Sequence, residues 1–179
     1  MAVNVMLDFE TLGTEPQSAV LSLGVVAFDN EKIISEWYCE FNLQDQISNG
    51  RKISASTLQW WLSQEKDAQD VFLEGTKKLS LDEFFADFLR ELSVYNKKDI
   101  VVWGNGASFD ISIIENIFRR HHPKGEDAFP WIYWNVMCFR TFNNLTQCKK
   151  LVQFKGTKHN ALADARFQAE AVLAYWRSR

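Results

Sequence analysis

Only three cysteines occur in the 179 residues: Cys39, Cys138 and Cys148. They form no C-x-x-C pair and no even set, which argues against a disulfide framework and a structural zinc. A reducing, cytoplasmic setting is the simpler expectation. Proline (three) and glycine (eight) are scarce, and no stretch reads as a linker, a repeat or low-complexity sequence. No apolar run approaches the roughly 18 residues of a membrane span. The opening Met1-Ala2-Val3-Asn4-Val5-Met6 lacks the basic region and long apolar stretch of a secretory leader. An excess of positive charge is missing too: the net charge is −3, which does not suggest a bulk electrostatic binder of nucleic acid.

What is present is globular. Hydrophobic residues make up 46% and charged residues 24% of the chain. The length suits one packed domain over residues 1–179 and is short for two. Fourteen Phe and seven Trp supply a sizeable core, with tryptophan left over for a binding surface or a subunit contact.

The first 41 residues read as three strands. In 3–10, Val3, Val5, Leu7 and Phe9 alternate with Met6, Asp8 and Glu10. Residues 19–28 are nearly all apolar, which suits a strand buried on both faces, and 32–41 follow after the turn at Asp29-Asn30. Such short connections predict an antiparallel meander. Ser54 or Ser56 is placed to cap a helix through Leu58, Trp61 and Leu62. Ser80 with Glu83 has the form of a capping box before the stripe Leu81, Phe84, Phe85, Phe88, Leu89 and Leu92. Residues 99–103 are a short strand. Ser108 opens a helix with Ile113, Ile114, Ile117 and Phe118 inward. Residues 124–134 read as a loop rich in aromatics, and 136–145 as a short strand followed by a helix. Asn160 caps the last helix. The expected architecture is α/β: a mixed five-stranded sheet, antiparallel meander plus parallel strands, flanked by helices.

Four acids and one histidine lie in or beside these apolar segments: Asp8, Glu10, Asp110, Asp164 and His159. A buried carboxylate is costly unless paired, hydrogen-bonded or bound to metal. Several with one histidine suggest a hard-cation site and a general base. Asp8 and Glu10 leave one face of their strand. Asp110 precedes Ile113, Ile114 and Ile117 by three, four and seven residues, on the apolar side of its helix. Asn160 as cap sets His159 just before a helix and Asp164 in it, a mobile base beside a fixed ligand. Each signal alone has an ordinary counterpart. Asp-x-Glu is commonly a solvated edge, an acid at a helix start complements the dipole, and a lone histidine before a helix is commonly a surface residue.

Taken together and in order, D-F-E-T, W-G-N-G-A-S-F-D and H-N-A-L-A-D-A resemble the motifs of the DEDDh (DnaQ-like) 3′–5′ exonuclease superfamily, which includes proofreading exonucleases, ribonuclease T and oligoribonuclease. The resemblance runs from residue 5 to about 173. A-V-L-S-L-G-V-V-A-F, S-T-L-Q-W-W and K-G-T-K-H-N-A-L-A-D-A look like the small single-domain exoribonucleases of mycobacterial type and the phage DexA exonuclease. It implies an RNase H-like fold, two Mg²⁺ or Mn²⁺ ions and release of nucleoside 5′-monophosphates. Asp8 would bridge both ions, Glu10 and Asp164 would complete one, Asp110 would hold the other through water, and His159 would be the base. Two divalent cations would cancel four of the acidic charges. The acidic balance is therefore weak evidence against a nucleic-acid substrate.

For the substrate, a single-stranded RNA or DNA 3′ end, the resemblance points to Thr11 and Leu12 at the terminal nucleotide, Leu12 as a wedge beside the last base. Trp60, Trp61 and Phe109 are candidates for stacking, although Trp61 and Phe109 also fall at core positions of their helices. Lys149, Lys150, Lys155 and Lys158 are candidates for phosphate contact or for a solvated loop. Many relatives are dimers, which a surplus of tryptophan would suit. Three other readings compete: a catalytically silent nucleic-acid-binding module, a hydrolase of short oligonucleotides, and an RNase H-like endonuclease.

Two features invite other readings. Gly104-Asn105-Gly106 follows a strand, but a dinucleotide loop would need glycine where Phe109 stands. His121-His122 diverge on a helix and are expected to place favourable charge at its C-terminus.

Overall fold

The computed structural model describes residues 2–73 and 77–179. Strands β1 (Val3–Thr11), β2 (Val20–Phe28) and β3 (Ile33–Phe41) form the antiparallel meander. Strand β4 (Lys78–Leu79) adds in parallel to β3. Strand β5 (Ile100–Gly104) lies parallel to β1, and β6 (Val136–Cys138) parallel to β5. The order is β4-β3-β2-β1-β5-β6. The expected five strands are thus six among the described residues. The addition is β4, whose two residues are too few to carry a period-two signature.

Alternation in β1 sorts its side chains between two cores. Val3, Val5, Leu7 and Phe9 pack with Phe84, Phe88, Ile113 and Ile117, which come from helices α4 (Leu81–Leu92) and α5 (Ser112–His121). Met6 packs on the opposite face with Trp103, Ala169 and Val172. The last two belong to α7 (Ala161–Arg177). Asp8 and Glu10 share Met6's side of the strand and therefore face α7. Ser80 and Glu83 complete the capping box of α4, and Ser54 caps α2 (Ala55–Leu62). Helices α1 (Leu43–Ser48), α3 (Lys66–Gln69) and α6 (Phe139–Thr146) complete the set.

Two local expectations change. Residues Ala107–Ile111 form a π-type turn, and the α-helix proper begins at Ser112 rather than Ser108. π-type turns recur where a helix must re-aim a side chain, and here the turn carries Asp110. At the other end of α5, His121 is held below the usual histidine range, first by burial and then by Arg51 and Arg120. It is thus disfavoured as the helix-terminal cation that the sequence suggested. No helix among the described residues is long and apolar enough to cross a membrane.

Candidate active site

Helix α7 approaches the sheet most closely at its first turn. Asp8 pairs with Gly24 across β1 and β2, and Glu10 with Ser22. A Cβ at Gly24 would lie 2.2 Å from the Ala161 carbonyl oxygen, so only glycine lets the helix settle here. The Asn160 side chain accepts from the Ala163 N–H and fixes the helix start. Asp164 then comes down on the carboxylates of β1. Ligand oxygens of Asp8, Glu10 and Asp164 lie within 4.8 Å of one another.

Asp110 arrives from the other side. Its Oδ1 accepts the Phe9 backbone N–H at 3.1 Å, tying the π-type turn to β1. Its Oδ2 is buried and has no partner among the described residues, and the residue is 1% exposed. Gly104 permits this approach, since a Cβ there would lie 2.9 Å from the Asp110 Cβ.

The electrostatics follow from the packing. Burial is the first cause of a raised carboxyl in all four cases. Asp8 is pushed well up by burial, then by Asp110, Glu10 and Asp164, and is partly relieved by Gln168. Glu10 is pushed up to about 8 by burial and by Asp164 and Asp110. Asp110 rises to about 7 through burial, against the lowering effect of the Phe9 N–H. Asp164 rises through burial, opposed by His159. Such a set of oxygens, with one buried lone pair unmatched, fits a divalent oxygen-loving cation: the cation would supply the charge and the partner that the protein withholds.

His159 is half-buried and less free than a loop histidine. Its backbone N–H donates to Asp164 Oδ2 at 3.1 Å, and its φ of +62° lies in the left-handed region. Its ring stands edge-on to Trp60, with centroids 5.0 Å apart.

Beside Glu10 opens a cavity of about 330 Å³, lined by Thr11, Thr14, Ser56, Thr57, Trp60, Trp61 and Phe109 among others. The structure thus brings Thr11, Trp61 and Phe109 to one place. Leu12 and Trp61, both expected near the substrate, lie buried. Leu12 is 1% exposed. Its N–H donates to Ala19 and its carbonyl accepts from Ser54, and its side chain packs in one buried cluster with Trp61. Trp61 is also 1% exposed, with Nε1 donating to the Thr11 carbonyl at 2.8 Å. It is a wall of the cavity, and the more exposed ring beside it is Trp60, 42% exposed. Lys158 is exposed and lines a separate hollow beyond His159, with Gly156 and Thr157. Lys149, Lys150 and Lys155 are all exposed, and the Lys149 ammonium rests over Phe139 and Phe167.

Three further residues adjoin the carboxylates without any motif to mark them. Gln168 is buried and its Nε2 donates to Asp8 Oδ1 at 2.6 Å. A glutamine beside the apolar stripe of α7 was the available signal. Gly24 looked like one more small residue in an apolar strand. Arg140 stands near enough to lower the Asp110 carboxyl slightly, and no motif marks it.

Comparison with known proteins agrees with this geometry. A family profile described as the Rv2179c-like 3′–5′ exoribonuclease domain matches residues 3–176. An exodeoxyribonuclease of Enterobacteria phage T4 is 28% identical over 156 residues, covering 76% of this chain and 68% of the phage protein. Among solved structures, cell-death related nuclease 4 superposes with a TM-score of 0.64 at 14% identity, over 97% of this chain and 63% of that one. *E. coli* Exonuclease I in complex with a dA13 oligonucleotide superposes with a TM-score of 0.59 at 16% identity, over 97% of this chain. The chain spans only 40% of the length of Exonuclease I. At these identities the superpositions show a shared fold.

Proposed function

Since the chain belongs to the Rv2179c-like 3′–5′ exoribonuclease domain family, we propose that residues 1–179 form one exonuclease domain of DEDDh type. It shortens single-stranded RNA or DNA from the 3′ end and releases nucleoside 5′-monophosphates. The observation that carries this reading is the convergence of Asp8, Glu10 and Asp164 within 4.8 Å, with the unpartnered Asp110 Oδ2 alongside.

These four carboxylates would hold Mg²⁺ or Mn²⁺, two ions in all, which when bound stabilise charge on the attacking and leaving oxygens of the phosphodiester. The protein's own groups do the rest. His159 takes the proton of the attacking water as general base. The bond from its backbone N–H to Asp164 keeps base and carboxylate in one frame. Gln168 orients Asp8. The terminal nucleotide enters the cavity beside Glu10, where Trp60 and Phe109 offer aromatic surface and Thr14, Ser56 and Thr57 offer hydroxyls. Relatives named for RNA and for DNA support a site that admits both sugars.

The test uses 5′-labelled single-stranded RNA and its DNA counterpart with Mg²⁺ or Mn²⁺. A ladder shortening from the 3′ end, lost with EDTA and in His159→Ala, is the expected result. Cleavage that persists with EDTA would overturn the metal assignment. Binding of both strands without cleavage would favour the silent module.

A further inference from the structure

Three rings meet edge-to-face beside the carboxylates. Trp60 and Trp61 have centroids 5.1 Å apart at 76°. Trp60 and His159 stand 5.0 Å apart at 83°, and Trp61 and His159 6.2 Å apart at 79°. Trp61 and the end of α2 are themselves fixed. Trp61 is bonded through Nε1 to the Thr11 carbonyl, one residue past Glu10. The Gln69 amide donates to the carbonyls of Trp61, Leu62 and Gln64, which anchors the C-terminal end of α2. His159, by contrast, holds a left-handed backbone that histidine adopts only occasionally. Such a conformation persists when its surroundings over-determine it. Its backbone is held by Asp164, whereas its imidazole is met by the indole rings.

We propose that Trp60 is a positioning residue for His159: its indole, braced by Trp61, holds the imidazole in the orientation required for proton transfer. This rests on the reading of His159 as the base. Trp60 also lines the cavity, where its aromatic surface toward the terminal base is a separate contribution. The two roles separate kinetically. Losing a stacking platform raises KM, whereas misplacing a base lowers kcat.

The first measurement needs neither metal nor substrate. The chain has three histidines, so the imidazole protons of the metal-free protein give few NMR signals, and the one lost in His159→Ala is assigned. Its resonance is expected to carry an indole ring-current shift and to move in Trp60→Leu. The His122 signal, whose ring faces Phe85 and Phe118, should stay put and so reports an intact fold. On a labelled oligonucleotide, Trp60→Leu should lower kcat by about tenfold to a hundredfold, and Trp60→Phe should recover most of the loss. An unmoved His159 resonance in Trp60→Leu, or a rise in KM with kcat preserved, overturns the proposal. Should Trp60→Leu fail to fold, Trp60→Met takes its place with the same readouts: a moved His159 signal with reduced kcat supports the proposal, and an unmoved signal or a preserved kcat overturns it. Full activity in His159→Ala would instead remove the base reading, whatever the resonance does.

Discussion

Gly24 and Ala161 are packed backbone to backbone: a Cβ on Gly24 would fall 2.2 Å from the Ala161 oxygen and 2.5 Å from the Leu162 nitrogen. Because Gly24 is the cross-strand partner of Asp8, this contact sets the distance between the β1 carboxylates and Asp164. Gly24→Ala must lift the first turn of α7 or bend the sheet. It is expected to destabilise the protein by about 1–3 kcal/mol and to lower exonuclease activity by about a hundredfold. Thermal melts and initial rates on the purified variant check both. Wild-type rates would mean that the strain is absorbed elsewhere and that Asp164 does not depend on this contact.

The metal-free protein should lose stability as pH rises through the neutral range. Glu10 titrates at about 8 in the folded protein against an ordinary 4.5, and Asp110 at about 7 against 3.8. Both hold a proton that the unfolded chain has released. Their contribution is complete below the ordinary values and is lost as pH rises through the folded ones. His121 works in the opposite direction, but its effect is finished above its ordinary 6.5. The clean window therefore runs from pH 6.5 to just above 8. In EDTA the melting temperature should fall across it, and Mn²⁺ should flatten the slope while binding releases protons. A metal-free melting temperature that climbs over this window would contradict the crowding of charges at the site.

Much of this arrangement was legible because the signals are local. Period-two alternation placed Asp8 and Glu10 on Met6's face, and Asn160 located both His159 and Asp164 through its cap. The remainder depends on contacts between distant segments. Gln168 meets Asp8 across 160 residues, and Gly24 matters only because Ala161 lies above it. Leu12 sits where a family motif suggests substrate contact, and Trp61 is a stacking candidate by residue type that also falls at a core position. The hydrogen bonds of Leu12 with Ala19 and Ser54, and of Trp61 with Thr11, turn both inward. The π-type turn at Asp110 has no sequence periodicity of its own.

Gln168 separates metal affinity from folding. Its Nε2 donates to Asp8, whereas its Oε1 is buried without a partner among the described residues. Gln168→Leu removes one good hydrogen bond and one unsatisfied acceptor, so its effect on stability should stay within about 1 kcal/mol. Asp8 would lose the group that orients it, and metal affinity should fall by about tenfold to a hundredfold. Calorimetric titration with Mn²⁺ measures this directly. Unchanged affinity would show that Asp8 needs no orienting partner.

Asp110→Asn should trade activity for stability. The Phe9 N–H can still be accepted by the amide oxygen, so the link between β1 and the π-type turn survives. What disappears is a buried negative charge that raises both Asp8 and Glu10. At pH 8 without metal, the variant should melt at a higher temperature than the wild type, because the wild type must either keep a proton on Asp110 or bury its charge. With Mn²⁺ the order should reverse, since the wild type gains more from the ion. Cleavage should fall by at least about a hundredfold, as expected when a group that stabilises transition-state charge is removed. Paired melts with and without Mn²⁺ test the argument. A variant less stable than wild type in EDTA would mean that Asp110 is retained for structure, and its unpartnered oxygen would no longer point to a metal.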